Sequence, residues 1–413
     1  MIALRLSYFS FLVSFLVTSL TTLNAQDTPN LELGGALRFN YNLSTWKDGQ
    51  IDRGGDFGYD IFRVNAKAAY KGVKLNAEYR LYSEDFGGGM LKEGWVEYDF
   101  DEKNNIQIGL TQVPFGITQY NSHNWFFSIN YYVGLEDDHD MGIKYTHMSK
   151  NFDFAVAFFK NAEEYRFGSF SDHSDSRYSY DLASKDLDGD GVLDFRNKEV
   201  NQLNAQFLYK RSLGRFDHKI GISLQGGGVY NLDTKDTGWH YAFAPHYEMI
   251  FERLDLIFQI SHYKISPEAP EGEQENIVAM TAYGFPYFVT SNATTYTVGI
   301  SYDFPIDWGP ISGIQVYNDF GYMDKSFDDF SDTFMNVTGA LVTAGNVYTY
   351  IDFATGQHMP WLNDDFNNSL AEGSIAGDQW QLRFNINFGY YFSSGSILSK
   401  ESIRREKEKR DQE

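Results

Sequence analysis

Apolar and polar residues alternate along most of this chain. The plainest case lies near its end, where Trp380, Leu382, Phe384, Ile386, Phe388, Tyr390 and Phe392 take every second position. Between them stand Gln381, Arg383, Asn385, Asn387, Gly389 and Tyr391. Successive side chains of a strand point to opposite faces, so the pattern predicts a strand with one apolar and one polar face. The same period runs through residues 62–70, 73–81, 202–209 and 295–304. Each segment is about as long as a tilted strand needs to cross a bilayer.

The connections alternate too. Short links fall at Lys71-Gly72, Asp101 to Asn104, Ser149 to Asn151, Leu213 to Phe216, Pro305 to Gly309 and Ala344 to Asn346. Long polar links fall near 44–56, 113–138, 161–197, 267–292 and 354–377. Tight turns at one end and long loops at the other predict an all-β fold, a transmembrane antiparallel β-barrel. Counting from a first strand near Leu31 gives about sixteen strands, with 277–289 and 334–353 ambiguous. A soluble sandwich or propeller shares the period. The even spread of outward aromatics and the absence of repeats or domain linkers favour the barrel, as does the need to close every sheet edge in lipid.

Composition agrees. Phe 35, Tyr 29 and Trp 7 make 17% of the 413 residues, yet mean hydropathy is −0.41. Aromatic-rich and polar on average suits a wall one side chain thick, apolar outside and polar inside. A net charge of −22 argues against nucleic acid as a partner. With no cysteine there are no disulfides and no thiol chemistry. Residues 1–25 read as a signal peptide, with Arg5 before the apolar core Phe9 to Leu20 and cleavage after Ala25. The barrel is expected over 26–392. A charged periplasmic tail over 393–413 then reads as a solvated helix or disordered segment. The expected home is the outer membrane of a Gram-negative cell, with its lipid as partner.

Ile106 to Gly116, with its sequence Ile-Gln-Ile-Gly-Leu-Thr-Gln-Val-Pro-Phe-Gly, resembles the phosphate-selective porin (porin O and P) family, which carries such a stretch before an inward-folding loop. Leu91 to Tyr98 is similar to a strand of that family, and Phe388 to Phe392 to the closing strand of many porins. The resemblance implies a sixteen-stranded, trimeric channel for passive diffusion, with an inward-folded constriction loop after Val113. The chain departs from the family where selectivity is decided. Between Lys103 and Lys144 there is no Lys or Arg, while Glu136, Asp137, Asp138 and Asp140 are all acidic. The expected constriction carries Tyr120, His123, Trp125, Glu136, Asp137 and Asp138. It predicts weak cation preference or little selectivity, with phosphate no better than chloride.

The inward phase of the strands offers pore-lining charges: Arg38, Arg63, Lys67, Lys74, Arg80, Lys144 and Arg383 among the bases, Glu78, Glu93, Glu97, Asp99, Glu248 and Glu252 among the acids. Either the two groups face each other across the lumen and set a transverse field, or they pair laterally and hydrate the wall. Asp186, Asp188, Asp190, Val192 and Asp194 match the opening of a calcium loop, with Gly191 for the turn. Asn197 stands where the closing Glu belongs, so a solvated acidic turn is the other reading. No nucleophile-elbow, zinc-helix or phosphate-loop motif occurs, and alternation puts Ser261 and His262 on opposite faces, so no enzyme and no transport cofactor is expected. The function expected is a porin passing small hydrophilic solutes or ions. The alternative is a barrel whose calcium-ordered loops serve binding or adhesion.

Overall fold

The computed structural model describes residues 29–163, 176–186 and 193–396. The expected signal peptide and the charged tail beyond Ser396 lie outside the described residues. Nineteen strands occur among those described. They are β1 (Asn30–Ser44), β2 (Asp56–Tyr70), β3 (Val73–Leu81), β4 (Gly89–Asp99), β5 (Asn104–Gln112), β6 (His139–Met148), β7 (Phe152–Ala162), β8 (Asp181–Leu182), β9 (Asn197–Leu213), β10 (Phe216–Asn231), β11 (Thr237–Phe251), β12 (Leu254–Ser266), β13 (Ile277–Ala282), β14 (Phe285–Thr290), β15 (Asn292–Trp308), β16 (Ile311–Lys325), β17 (Thr333–Ala344), β18 (Val347–Gln357) and β19 (Gln381–Ser396). All but β8, β13 and β14 form one closed antiparallel barrel of sixteen strands, sealed where β1 pairs with β19.

The alternation becomes two faces of opposite chemistry. On β9, Leu203 is 61% exposed and points outward, while Asn204 beside it is 2% exposed and points into the lumen. On β10, Ile220, Ile222 and Leu224 are exposed and Ser223 is buried. On β19, Tyr390 and Phe392 face outward, with Asn385 and Asn387 inside. A water-soluble protein buries the apolar set, since each Å² removed from water stabilises by about 25 cal/mol. Here that set forms an outer belt, and the polar set satisfies itself within.

Both ambiguous segments resolve. Residues 334–353 supply β17, the turn 345–346 and most of β18. Residues 277–289 give the hairpin β13–β14, which pairs with β8 in a separate three-stranded sheet. Every residue of β13 is buried, so this apolar run packs on both faces. The final strand runs past the expected boundary at residue 392, through Ser396.

Long loops fill much of the lumen. Aromatic side chains of 113–138, of Tyr178 and Tyr180 just before β8, of the β13–β14 hairpin and of the 358–380 loop pack into one cluster with inward residues of the wall. Tyr287 donates to the carbonyl of Tyr132 (2.5 Å), Tyr131 and Tyr283 share a hydroxyl hydrogen bond (2.5 Å), and Trp361 Nε1 donates to Tyr180 Oη (2.9 Å). The loops thereby seat on one another and on the barrel.

Candidate pore and constriction

The 113–138 loop enters the lumen at Gly116, whose φ of +62° suits glycine. A Cβ there would lie 2.5 Å from Gln259 Nε2, so a side chain would be strained and would displace the Gln259 amide that holds the loop. From that turn the loop runs along the wall, held by neutral groups. Gly116 N donates to Ser223 Oγ (3.0 Å) and Ile117 N to Gln259 Oε1 (2.8 Å). Asn121 Nδ2 donates to Thr297 Oγ1 (2.8 Å), and Thr295 Oγ1 to Asn130 Oδ1 (2.6 Å). Two acids join them. Asp352 on β18 accepts from the Trp125 amide. Asp319 on β16 accepts from the His123 amide (2.8 Å) and Asn124 Nδ2 (2.7 Å), and contacts His123 Nδ1 (2.7 Å).

The free edge of the loop faces a cavity of about 580 Å³. Tyr120, His123 and Trp125 line it from the loop. Arg38, Arg63, Arg80 and Arg383 line it from β1, β2, β3 and β19, with Asp56 and Asp60 as the acids of the lining. Each guanidinium lies over an aromatic ring. Arg38 sits 4.2 Å from the Trp125 ring centre, Arg80 4.4 Å from Tyr178, Arg63 5.0 Å from Tyr391 and Arg383 5.3 Å from Phe126. Such stacking holds a cation in place while leaving part of its charge unspent. Arg38 pairs with Asp60 (2.9 Å), and Arg63 and Arg80 share Glu78 (3.0 and 2.7 Å). Arg383 Nε donates to the neutral Asn42 Oδ1 (2.8 Å).

The acids expected at the constriction do not face this cavity. Glu136, Asp137 and Asp138 are 3%, 4% and 5% exposed. Glu136 staples the loop from inside, accepting from the amides of Asn121 (2.9 Å) and Ser128 (2.9 Å) and from the Ser128 hydroxyl (2.5 Å). Burial pushes its carboxyl up to about 7. Asp137 accepts from Tyr178 Oη (2.6 Å), Gln112 Nε2 (3.1 Å) and Lys92 Nζ (3.3 Å). Asp138 belongs to a separate buried cluster behind the loop. The expectation that these three set the field of the pore is therefore corrected. Glu136 and Asp137 lie where donors are, on the inner side of the loop.

Several of the remaining charges pair laterally along the wall. Lys74 bridges Glu97 (3.2 Å) and Asp99 (2.5 Å), Lys219 pairs with Glu248 (2.7 Å), and Arg215 pairs with Glu252. Glu93 accepts from Asn76 Nδ2 (2.7 Å) and pairs with Lys92 (3.3 Å). Lys67 stands in register with Glu32 and Asn76, and Lys144 Nζ donates to the Gln112 carbonyl (2.7 Å). Ser261 is buried inside while His262 contacts Tyr241 and Phe243 outside, so the two do not meet. Of the expected calcium loop, Asp188, Asp190 and Val192 lie outside the described residues. Asp194 and Lys185 bridge backbone to backbone (2.8 and 3.0 Å).

Sequence reasoning passed over Lys92, Asp60, Asp319 and the loop residues Tyr178, Tyr283 and Trp361. Lys92 is the extra residue of a β-bulge, where Glu78 pairs with Glu93 and Tyr79 with Leu91. The bulge turns Lys92 and Glu93 inward together, which strict alternation forbids. Asp319 carried a readable signal, an acid on the inward phase of a strand. The three loop aromatics carried none, because they come from three separate loops.

No protein-family model and no curated protein matches this sequence. Solved structures do. The chain is similar to the outer membrane channel DcaP of Acinetobacter baumannii at TM-score 0.54 and 10% identity, over 90% of this chain and 100% of that one. It is similar to an anion-selective porin from Comamonas acidovorans at TM-score 0.56 and 11% identity, over 88% and 100%. It is also similar to a loop-deletion form of OmpT, an outer membrane protein of Vibrio cholerae, at TM-score 0.53 and 12% identity, over 89% and 100%. What the chain shares with them is the fold, the closed antiparallel β-barrel of outer-membrane porins.

Proposed function

We propose that the protein is an outer-membrane porin, a water-filled channel for passive diffusion of small hydrophilic solutes and ions, and that it prefers anions. The preference reverses the expectation drawn from the acidic count of the 113–138 loop. One observation carries it: four arginines converge on the cavity, opposite a loop edge that presents no acid. Fixed charge at a constriction selects by its field. The outer apolar belt supports residence in a bilayer, and the neighbours' barrel fold supports the outer membrane as its place.

The reading does not extend to tight phosphate capture. A phosphate ladder needs guanidinium groups free to replace the anion's water. Here Arg38 is engaged by Asp60, and Arg63 and Arg80 by a shared Glu78. Phosphate and chloride are therefore expected to pass with similar ease, and the trimer implied by the family resemblance is kept as part of the proposal. The test is planar-bilayer recording on refolded protein across a potassium chloride gradient. Open-channel current with a reversal potential displaced toward chloride is expected. Absence of current defeats the channel, and displacement toward potassium defeats the anion preference.

A further inference from the structure

Behind the 113–138 loop, four buried carboxylates meet. Asp138 ends that loop, Asp140 lies on β6, Glu163 follows β7 and Asp181 lies on β8. One oxygen from each falls within 4.8 Å of the others. All four side chains are more than nine-tenths buried.

Their hydrogen bonding is one-sided. Glu163 Oε1 accepts from the amides of Tyr178 (2.7 Å) and Ser179 (2.6 Å), while its Oε2 has no partner. Asp140 Oδ2 accepts from Gln202 Nε2 (3.0 Å), while its Oδ1 has none. Asp138 Oδ1 and Asp181 Oδ2 also lack a hydrogen bond, with the Arg177 guanidinium 3.6 Å from Asp181 Oδ2. So one oxygen of Asp140 and of Glu163 fixes the carboxylate, and the other is left bare. A single buried carboxylate oxygen without a donor costs several kcal/mol, and four facing one another repel as well. The Glu199 carboxyl at the start of β9 adds a fifth acid, hydrogen-bonded to Asp181, and Arg177 supplies one positive charge among them.

We propose that Asp138, Asp140, Glu163 and Asp181 bind a calcium ion that ties the stem of the 113–138 loop to β8 and to the barrel wall at β6 and β7. The donors are all oxygens, which suits a hard cation and excludes a soft one. Calcium–oxygen distances of about 2.3–2.6 Å allow opposite ligands about 5 Å apart, the spread observed. Magnesium keeps several of its waters, which a site this enclosed disfavours. The ion would fix the loop that borders the cavity without entering the cavity. The site is separate from the Asp186–Asp194 motif, and it does not depend on what the channel carries.

The test uses full-length refolded protein, stripped with EDTA and titrated with calcium chloride by calorimetry. Terbium luminescence excited through tyrosine gives a second readout, since Tyr178 and Tyr180 flank the site in sequence. The wild type is expected to bind one calcium per chain at this site. Asp138→Asn combined with Asp181→Asn is expected to weaken that binding at least tenfold and to abolish the terbium signal. Asp186→Ala combined with Asp188→Ala is expected to leave both intact. The proposal is overturned if the wild type binds no calcium, or if only the Asp186/Asp188 variant loses it. A wild type that binds no calcium overturns the proposal whatever the variants do, and the Asp186/Asp188 variant assigns any calcium that is bound, so misfolding of the Asp138/Asp181 variant does not shield the proposal.

Discussion

Two sectors of the same barrel wall do different work with the same alternation. On β10, β12 and β15 the inward residues that meet the loop are Ser223, Gln259, Thr295 and Thr297, neutral groups that donate and accept. On β1 to β3 and β19 they are Arg38, Arg63, Arg80 and Arg383, and the cavity opens in front of them. Neutral hydroxyls and amides can be buried under a loop because each finds a partner there at little desolvation cost. Buried arginines need acids beside them, as Arg38 has Asp60 and Arg80 has Glu78. The sector that holds the loop and the sector that sets the field are thus separated by residue type, although both read simply as polar in a binary pattern.

The docked loop is held most strongly at Asp319 on the adjoining strand β16. Asp319 is 6% exposed and receives the His123 amide and the Asn124 amide group, with the His123 ring at 2.7 Å. Hydrogen bonds to a charged group contribute about 1.5–3 kcal/mol each, so Asp319→Ala is expected to loosen loop docking by on the order of 5 kcal/mol. Limited proteolysis of the folded barrel should then cut within 113–138, and single-channel records should become noisy. Unchanged protection of that loop would mean the neutral contacts suffice.

A second break is chemical and reversible. Because burial raises the Glu136 carboxyl from 4.5 to about 7, the docked loop binds that proton more tightly than a released loop does. Docking is therefore strongest below about pH 4.5, where both forms are protonated, and it weakens as pH rises through 7. The difference amounts to roughly 3 kcal/mol. Protease sensitivity of the loop should rise between pH 5 and 8 in the wild type and stay flat in Glu136→Gln. A flat wild-type profile would place the staple elsewhere.

The barrel was legible in the sequence because strand geometry forces a period of two, and lipid outside with water inside makes that period visible in residue type. Even β19, with Arg383, Asn385 and Asn387 inside, follows from its letters alone. Legibility failed where that geometry stops. At Lys92 a bulge adds one residue and reverses the phase. At β13 and β14 an apolar run is buried on both faces by other loops, so nothing alternates. Within 113–138 the backbone turns repeatedly, and neighbouring acids no longer share a direction. Counting Glu136, Asp137 and Asp138 measured the charge of a segment, whereas their burial shows that none of it reaches the cavity.

The smallest effect expected is also the one that compares the two kinds of charge directly. Arg38 and Arg383 stack on Trp125 and Phe126, so both stand at the seam between wall and loop. An anion passing about 4 Å from a guanidinium in a water-like medium gains about 1 kcal/mol. Asp60 already offsets Arg38, so Arg38→Gln together with Arg383→Gln should lower the chloride-to-potassium permeability ratio by the roughly fivefold that one unopposed charge supplies. Glu136→Gln with Asp137→Asn removes as many formal charges from the loop and should leave the ratio unchanged, since those carboxylates are screened by their own donors. The arginine effect should shrink as salt rises from 0.1 M to 1 M, because the screening length falls from about 10 Å to 3 Å. If the acid pair moves the ratio and the arginine pair does not, the ion path runs behind the loop and not through the cavity in front of it.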